Sequence, residues 1–432
     1  MKKVLIITYY WPPSGGAGVQ RWLKFVKYLR EFGWEPIVYT AENPEVPYFD
    51  NSLINDIPFG VEVLKIPVLE PSRLYSSLTG KKNSKKIHHG FLRDNKQRKS
   101  FIEEIAIWIR GNFFIPDARM LWINPSFKYL KKYLIDNKVD VVVSSGPPHS
   151  VHLIALKIQK EVNLPWIADF RDPWTGIYYY NKLKISWLTN KIHKKLEHKC
   201  LNNADQIITV GETMKRDLSL ITNNPIEVIT NGFDHKDYED VEKKYPKNFN
   251  LMYTGMFLPD QNPPELWRVL SEIVTSNESF KKAFKMTFVG KIDNSILNDI
   301  EANGLNEFVE LRDSVPHNSL PIIQQESSVL LLCINRIDNA SYILTGKFFE
   351  YLASGKNILA ICPTQSDVAK IINETNSGIS IDFNNPVQLK STIELLYTKY
   401  LQKDYPIINE SIMKYSRMEL TKKLVNILNK FS

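Results

Sequence analysis

The chain has 432 residues, with 55 Lys and Arg against 47 Asp and Glu, a formal charge of +8 and 43% hydrophobic residues. This composition excludes a disordered chain, and at roughly 100–200 residues per domain the length allows two or three domains. The three cysteines, Cys200, Cys333 and Cys362, lie far apart without a C-x-x-C pair, which argues against a disulfide scaffold or a zinc site and for a reducing cytoplasm.

Lys2-Lys3 followed by a short apolar run imitates a signal peptide. Trp11-Pro12-Pro13 follows without a small-residue cleavage site, so residues 4–8 read as a first buried strand. No stretch approaches the ~20 apolar residues needed to cross a bilayer. Short β-branched runs then alternate with helical patterns, the signature of βα units around parallel sheets. The first series is 4–8, 36–40, 139–144, 166–170, 206–210 and 227–230. A polar stretch at 235–249 follows, and a second series restarts at 250–254, 285–289, 309–311, 329–334, 358–362 and 378–381. The expected architecture is α/β, two Rossmann-like doubly wound domains facing a cleft, at 1–235 and 250–414, with an amphipathic crossover helix at 415–432. Residues 51–120 fit poorly and read as a basic insertion that loops out of the first sheet.

Charge is uneven along the chain. Residues 1–230 hold 33 Lys and Arg against 22 Asp and Glu, or +11, and residues 231–432 carry −3. Two halves of opposite sign suggest different partners, the first favouring a negative surface.

Four loops carry candidate chemistry. Ser14-Gly15-Gly16-Ala17-Gly18 sits between the first strand and a helix, where glycines bring backbone N–H groups close to a ligand and the helix N-terminus favours phosphate. Its spacing is not G-x-G-x-x-G, and no Gly-Lys-Ser/Thr ending makes it a Walker loop. Gly146-Pro147-Pro148-His149 ends another strand, with His149 held by a stiff loop. Asp169-Phe170-Arg171-Asp172 sets three charges at a strand end, where Arg171 can grip an anion or a sugar hydroxyl; the bland reading is a local Arg171–Asp172 pair. The most specific signal is Thr345-Gly346-Lys347-Phe348-Phe349-Glu350. A lysine in the first turn of a helix runs against the dipole preference and needs an anionic ligand to explain it, and Glu350 one turn on can accept from ribose hydroxyls. The alternative there is an ordinary i,i+3 ion pair.

Taken together, Gly15-Gly16-x-Gly18, Ile229-Thr230-Asn231-Gly232-Phe233-Asp234, Tyr253-Thr254-Gly255, the run from Gly346 to Lys356 and Tyr415-Ser416-Arg417 resemble the group 1, family 4 glycosyltransferases of the GT-B fold, over nearly the whole chain. The resemblance implies a C-terminal domain that binds a nucleotide-sugar donor, an N-terminal domain that binds a glycan or lipid-linked acceptor, and transfer usually with retention and without a metal or cofactor. It places Lys347 and Gly346 at the donor diphosphate, Glu350 at the ribose and Gly16 near the donor phosphates or sugar. It places His149 in the region of the family's active-site histidine. The donor-binding set is then Gly15, Gly16, Gly18, Gly255, Arg336, Thr345, Gly346, Lys347 and Glu350, and the catalytic set is His149, Asp169 and Arg171. Two departures stand out. Tyr342 occupies the position of the family's first glutamate, and Met256 and Gln261 lie near the positions of an Arg and a Lys, so phosphate neutralisation falls more on Lys347, helped by Arg336 or Arg312.

Aromatic and basic residues from Tyr178 to Leu188 and from Lys191 to Lys195, with the lysines between 81 and 99, suggest an anionic membrane surface as a partner, the bland alternative being a solvated helix face. The expected location is cytoplasmic, peripheral on the inner face of the plasma membrane, in cell-surface polysaccharide or glycolipid synthesis. A nucleic-acid-binding protein is the rival class; the acidic second half and the lack of a binding-module motif count against it, so nucleic acid is not expected as a partner. A GT-B sugar-nucleotide epimerase or a phosphorylase is the closer rival, the latter lacking a visible pyridoxal-phosphate lysine site.

Overall fold

The computed structural model describes residues 1–46, 48–70, 101–178 and 180–432. The chain divides into two compact units, residues 1–230 with 420–432, and residues 231–419.

The first unit is built on seven strands: β1 (Lys2–Thr8), β2 (Trp34–Ala41), β3 (Glu62–Ile66), β4 (Val141–Gly146), β5 (Trp166–Phe170), β6 (Gln206–Thr209) and β7 (Ile226–Val228). All pair in parallel, in the order β3-β2-β1-β4-β5-β6-β7. Side chains alternate across a strand, and here both faces are covered. Leu5 and Ile7 of β1 enter one apolar cluster while Val4 and Ile6 enter the other, which is why β1 reads as an unbroken apolar run. Leu420, Leu424, Val425 and Leu428 of the last helix, Arg417–Leu428, join the second of these clusters.

The second unit holds β8 (Phe249–Thr254), β9 (Phe284–Val289), β10 (Val309–Arg312), β11 (Val329–Cys333), β12 (Asn357–Ile361) and β13 (Gly378–Ile381). These are parallel in the order β10-β9-β8-β11-β12-β13. Leu331 and Cys333 of β11 face one cluster and Leu330 and Leu332 the other. In both sheets the strand order reverses direction once, between β1 and β4 and between β8 and β11. Open α/β sheets bind ligands at the carboxyl ends of strands beside such a reversal.

Three expectations change. Residues 51–120 are not wholly an insertion: β3 lies at their start and extends the sheet as its edge, while 71–100 fall outside the described residues, including the lysines of the expected basic loop. The second unit begins at Asn231 rather than 250, because the segment after Thr230 packs Phe233 into the second unit's core. The return to the first unit comes at Leu420 rather than 415.

Candidate functional site

In the first unit the loop after β1 leads into the helix Ala17–Leu29, with Gly16 at its N-cap at φ 109°. That backbone is costly for any residue with a Cβ, although a Cβ there would meet nothing within 4 Å. Gly15 has a packing reason instead: its N–H donates to the Tyr48 carbonyl, and a Cβ there would enter the Tyr48 ring. Gly18 lies against the Arg171 guanidinium, which donates to its carbonyl at 2.8 Å and to that of Pro147 at 3.4 Å. Arg171 thereby ties the glycine loop to the loop after β4, and its Nε lies 3.7 Å from Asp172.

Asp169 stands at the end of β5. It is fully buried and bound on all sides: Arg21 donates from Nε to Oδ2 at 3.0 Å and from Nη2 to Oδ1 at 2.9 Å, Trp22 Nε1 donates to Oδ2 at 2.7 Å, and Ser145 Oγ donates to Oδ2 at 2.8 Å. Burial opposes ionisation, yet Arg21 and these donors hold the carboxyl below its ordinary pKa. This buried carboxylate, with three donors on Oδ2 and one on Oδ1, anchors β4, β5 and the first helix to one another.

His149 is buried, with its ring stacked on Trp174 at a centroid distance of 4.6 Å and an interplanar angle of 3°. Trp174 Nε1 donates to His193 Nδ1 at 3.0 Å, so the stacking plate is itself fixed. Burial, with His152, His193 and Arg171 nearby, pushes the His149 pKa well below its ordinary value and keeps the ring neutral. Its Nδ1 has no partner among the described residues. His152, behind it, pairs through Nδ1 with Ser144 Oγ at 2.8 Å and stacks on Phe170.

In the second unit Thr345 precedes the helix Gly346–Ser354 without capping it through its side chain. Its Oγ1 is buried and unpartnered, and so is the ammonium of Lys347. Lys347 Nζ lies 3.8 Å from the centroid of the Tyr253 ring and beside Gly255, where a Cβ would stand 3.3 Å from it. Burial lowers the Lys347 pKa to about 7, against a smaller opposing pull from Glu350. The i,i+3 ion pair does not form. Glu350 Oε1 instead pairs with His317 Nε2 at 2.9 Å, and the Glu350 carbonyl accepts from Tyr238 at 3.1 Å. Gly255 sits at φ 94°, and the backbone of Gly290 packs directly against it.

Lys347, Gly255, Thr345 and Gly346 thus gather at the start of one helix, with Glu350 one turn on. Arg336 does not join them: its guanidinium lies over Phe383 at 5.3 Å and donates to Asn384 at 2.6 Å. Arg312 is taken up by Glu310 and Glu326. Sequence reasoning missed Tyr253 as the lysine's apolar plate, His317 as the partner of Glu350, and Arg21 as the partner of Asp169. Among the described residues no cluster of three or more His, Cys, Asp or Glu is placed to hold a metal ion, and no helix is long and apolar enough to cross a membrane.

Residues 87–237 match the family model described as Glycosyltransferase Family 4. No curated protein matches the chain by sequence. Among solved structures, a glycosyltransferase from Rickettsia africae is similar over 100% of this chain and 98% of its own, with 14% identity and a TM-score of 0.61. Sucrose-phosphate synthase from Thermosynechococcus elongatus is similar over 100% and 99%, with 10% identity and a TM-score of 0.60. An E. coli trehalose-6-phosphate protein bound with UDP-2-fluoro glucose is similar over 100% of both chains, with 11% identity and a TM-score of 0.60. At these identities the likeness is one of fold, the two-domain GT-B fold of glycosyltransferases.

Proposed function

We propose that this chain, which carries a glycosyltransferase family 4 domain over residues 87–237 on a GT-B fold, moves a sugar from an NDP-sugar to an acceptor hydroxyl. The observation that carries this reading is the buried, unpartnered ammonium of Lys347 at the N-terminus of a helix. A buried cation without a partner is costly, and a diphosphate against it and the helix N–H groups removes that cost.

As the bond from the anomeric carbon to the diphosphate breaks, its electron pair passes to the diphosphate. Lys347 and the helix dipole then stabilise charge that grows in the transition state, in a site where water is scarce. This supply of positive charge supports transfer without a metal or cofactor. Glu350, oriented by His317, accepts from the ribose hydroxyls. Open space at Gly346 and the bare backbone of Gly255 leave room for phosphate oxygens. In the first unit, neutral His149 is the polar group left for a sugar or acceptor hydroxyl, and Arg171 positions the loops on either side of it.

The family likeness is the ground for retention at the anomeric carbon, for a glycan or lipid-linked acceptor, and for a cytoplasmic role in cell-surface polysaccharide or glycolipid synthesis. One similar structure is that of a glycosyltransferase involved in lipopolysaccharide biosynthesis. The test is a thermal-shift screen of nucleotide sugars followed by donor turnover. At least one NDP-sugar stabilises the wild type, and Lys347→Ala and Glu350→Ala abolish both effects. Near-normal turnover in both variants, release of an epimerised nucleotide sugar, or a preference for DNA over every NDP-sugar overturns the reading.

A further inference from the structure

We propose that the exposed faces of two helices in the first unit, Phe101–Phe113 and Trp187–Asn203, form one surface that docks on an anionic lipid bilayer. The inference rests on what these faces display and not on the sugar-transfer reading.

The first helix shows Ile105, Trp108, Ile109 and Phe113 to solvent, at spacings of three and four residues that set them on one side. Its packing contact lies elsewhere: Gly111 closes on the Leu183 carbonyl, where a Cβ would stand 2.6 Å away. The second helix begins with Trp187 at 74% and Leu188 at 60% exposure, followed by exposed Ile192. Asn112 joins the two, accepting from Ser186 N–H at 2.7 Å and donating to the Lys184 carbonyl at 3.2 Å. Phe113 and Trp187 therefore flank one junction, and the apolar display runs across it. Large apolar residues grouped this way mark an interaction surface rather than scattered exposure.

Charge selects the partner. Helix Trp187–Asn203 contains one carboxylate, Glu197, and it is turned inward to accept from the Thr175 N–H and hydroxyl. Its outer face is left with Lys191, Lys194, Lys195 and Lys199, all exposed, and none of them makes an ion pair among the described residues. A solvated helix face mixes signs and pairs them; this one is uniformly positive. Lys191 lies over the Trp187 ring at 5.3 Å, so cation and indole sit at one level, as at a headgroup boundary. A second copy of the chain would bring lysines against lysines. Nucleic acid would use the cations but leave Leu188, Ile105 and Ile109 without an apolar counterpart.

The test is co-sedimentation with phosphatidylglycerol-containing vesicles and with vesicles of phosphatidylcholine alone. Wild type binds the first, releases at high salt and ignores the second. Lys191→Gln with Lys194→Gln and Lys195→Gln lowers partitioning by about 100-fold, at about 1 kcal/mol of attraction to the anionic surface lost per lysine. Leu188→Ser with Phe113→Ser lowers it as well, and brominated lipid quenches wild-type tryptophan fluorescence but quenches Trp108→Phe with Trp187→Phe far less. All these side chains are exposed, so thermal melting stays at the wild-type value, and donor turnover in solution is unchanged, which separates failure of docking from failure of the donor site. Absence of binding to anionic vesicles, binding indifferent to the charge variant, or equal binding to duplex DNA without lipid quenching overturns the proposal.

Discussion

The ammonium of Lys347 stands 3.8 Å over the ring of Tyr253 with no hydrogen-bond partner. The aromatic face gives a cation some electrostatic relief, though less than the water it lost, and burial brings the Lys347 pKa down to about 7. A diphosphate in contact with it pulls that pKa back up, so donor binding above pH 7 takes up a proton. Calorimetric titration of a nucleoside diphosphate at pH 8 in buffers of different ionisation enthalpy should show uptake of a substantial fraction of one proton. Lys347→Met should bind weakly and show no buffer dependence.

The same depressed pKa makes a stability prediction of known sign. Unfolded lysine titrates near 10.4, so between about 7 and that value the unfolded chain holds a proton that the native lysine has lost. The unfolded state binds more protons, and stability contributed at this site rises with pH across that window. Below about 7 both states are protonated and the burial penalty is present in full. Urea midpoints from pH 6.5 to 9.5 should rise in the wild type relative to Lys347→Met, the difference narrowing toward high pH.

His317 acts through Glu350. Its Nε2 at 2.9 Å fixes one carboxylate oxygen and leaves the other for a ligand. A hydrogen bond to a charged group contributes about 1.5 kcal/mol or more, so His317→Ala should raise the donor KM roughly tenfold with kcat nearly unchanged, and His317→Gln should restore most of it. A loss of kcat with KM untouched would mean that His317 does not work by orienting Glu350.

Gly290 supports the turn at Gly255. At φ 122° it is strained for any other residue, and a Cβ would come 2.5 Å from the Gly255 carbonyl oxygen. Neither atom belongs to a flexible side chain, so Gly290→Ala must shift the Gly255 backbone. The expected cost is about 1–3 kcal/mol of stability together with weaker nucleotide binding, read by denaturation and by calorimetry on the folded fraction.

How much of this was legible depended on burial. β5 runs at the bounds its apolar run suggested because a central parallel strand is covered on both faces. β3 was missed because Glu62–Ile66 is an edge strand, only partly buried, whose Glu62 and Lys65 face solvent. Lys347 and Glu350 were readable since both lie on one helix. His317 was not: it sits 33 residues upstream of Glu350 on a single short turn, and a lone histidine in a loop carries no local signal. The Arg21–Asp169 pair spans 148 residues, and it takes the pairing of β1 with β4 and of β4 with β5 to bring it together, so the sequence around Asp169 carries no local sign of its buried partner.

Whether Asp169 anchors the fold or takes part in catalysis is testable. Asp169→Asn keeps the shape of the side chain but leaves the Arg21 guanidinium, fully buried with it, without a counter-charge. Breaking a buried pair from one side costs about 3–5 kcal/mol, a large part of the ~5–15 kcal/mol that holds a domain. Because the Asp169 pKa is lowered on folding, its contribution is full above the unfolded value near 3.9 and drains as pH falls through the lower folded value. The stability gap between wild type and Asp169→Asn should therefore be constant from neutral pH to about 4 and close only in stronger acid. Turnover per folded molecule should fall by less than tenfold for an anchor; a loss of several orders of magnitude in fully folded Asp169→Asn would place Asp169 in the catalytic set.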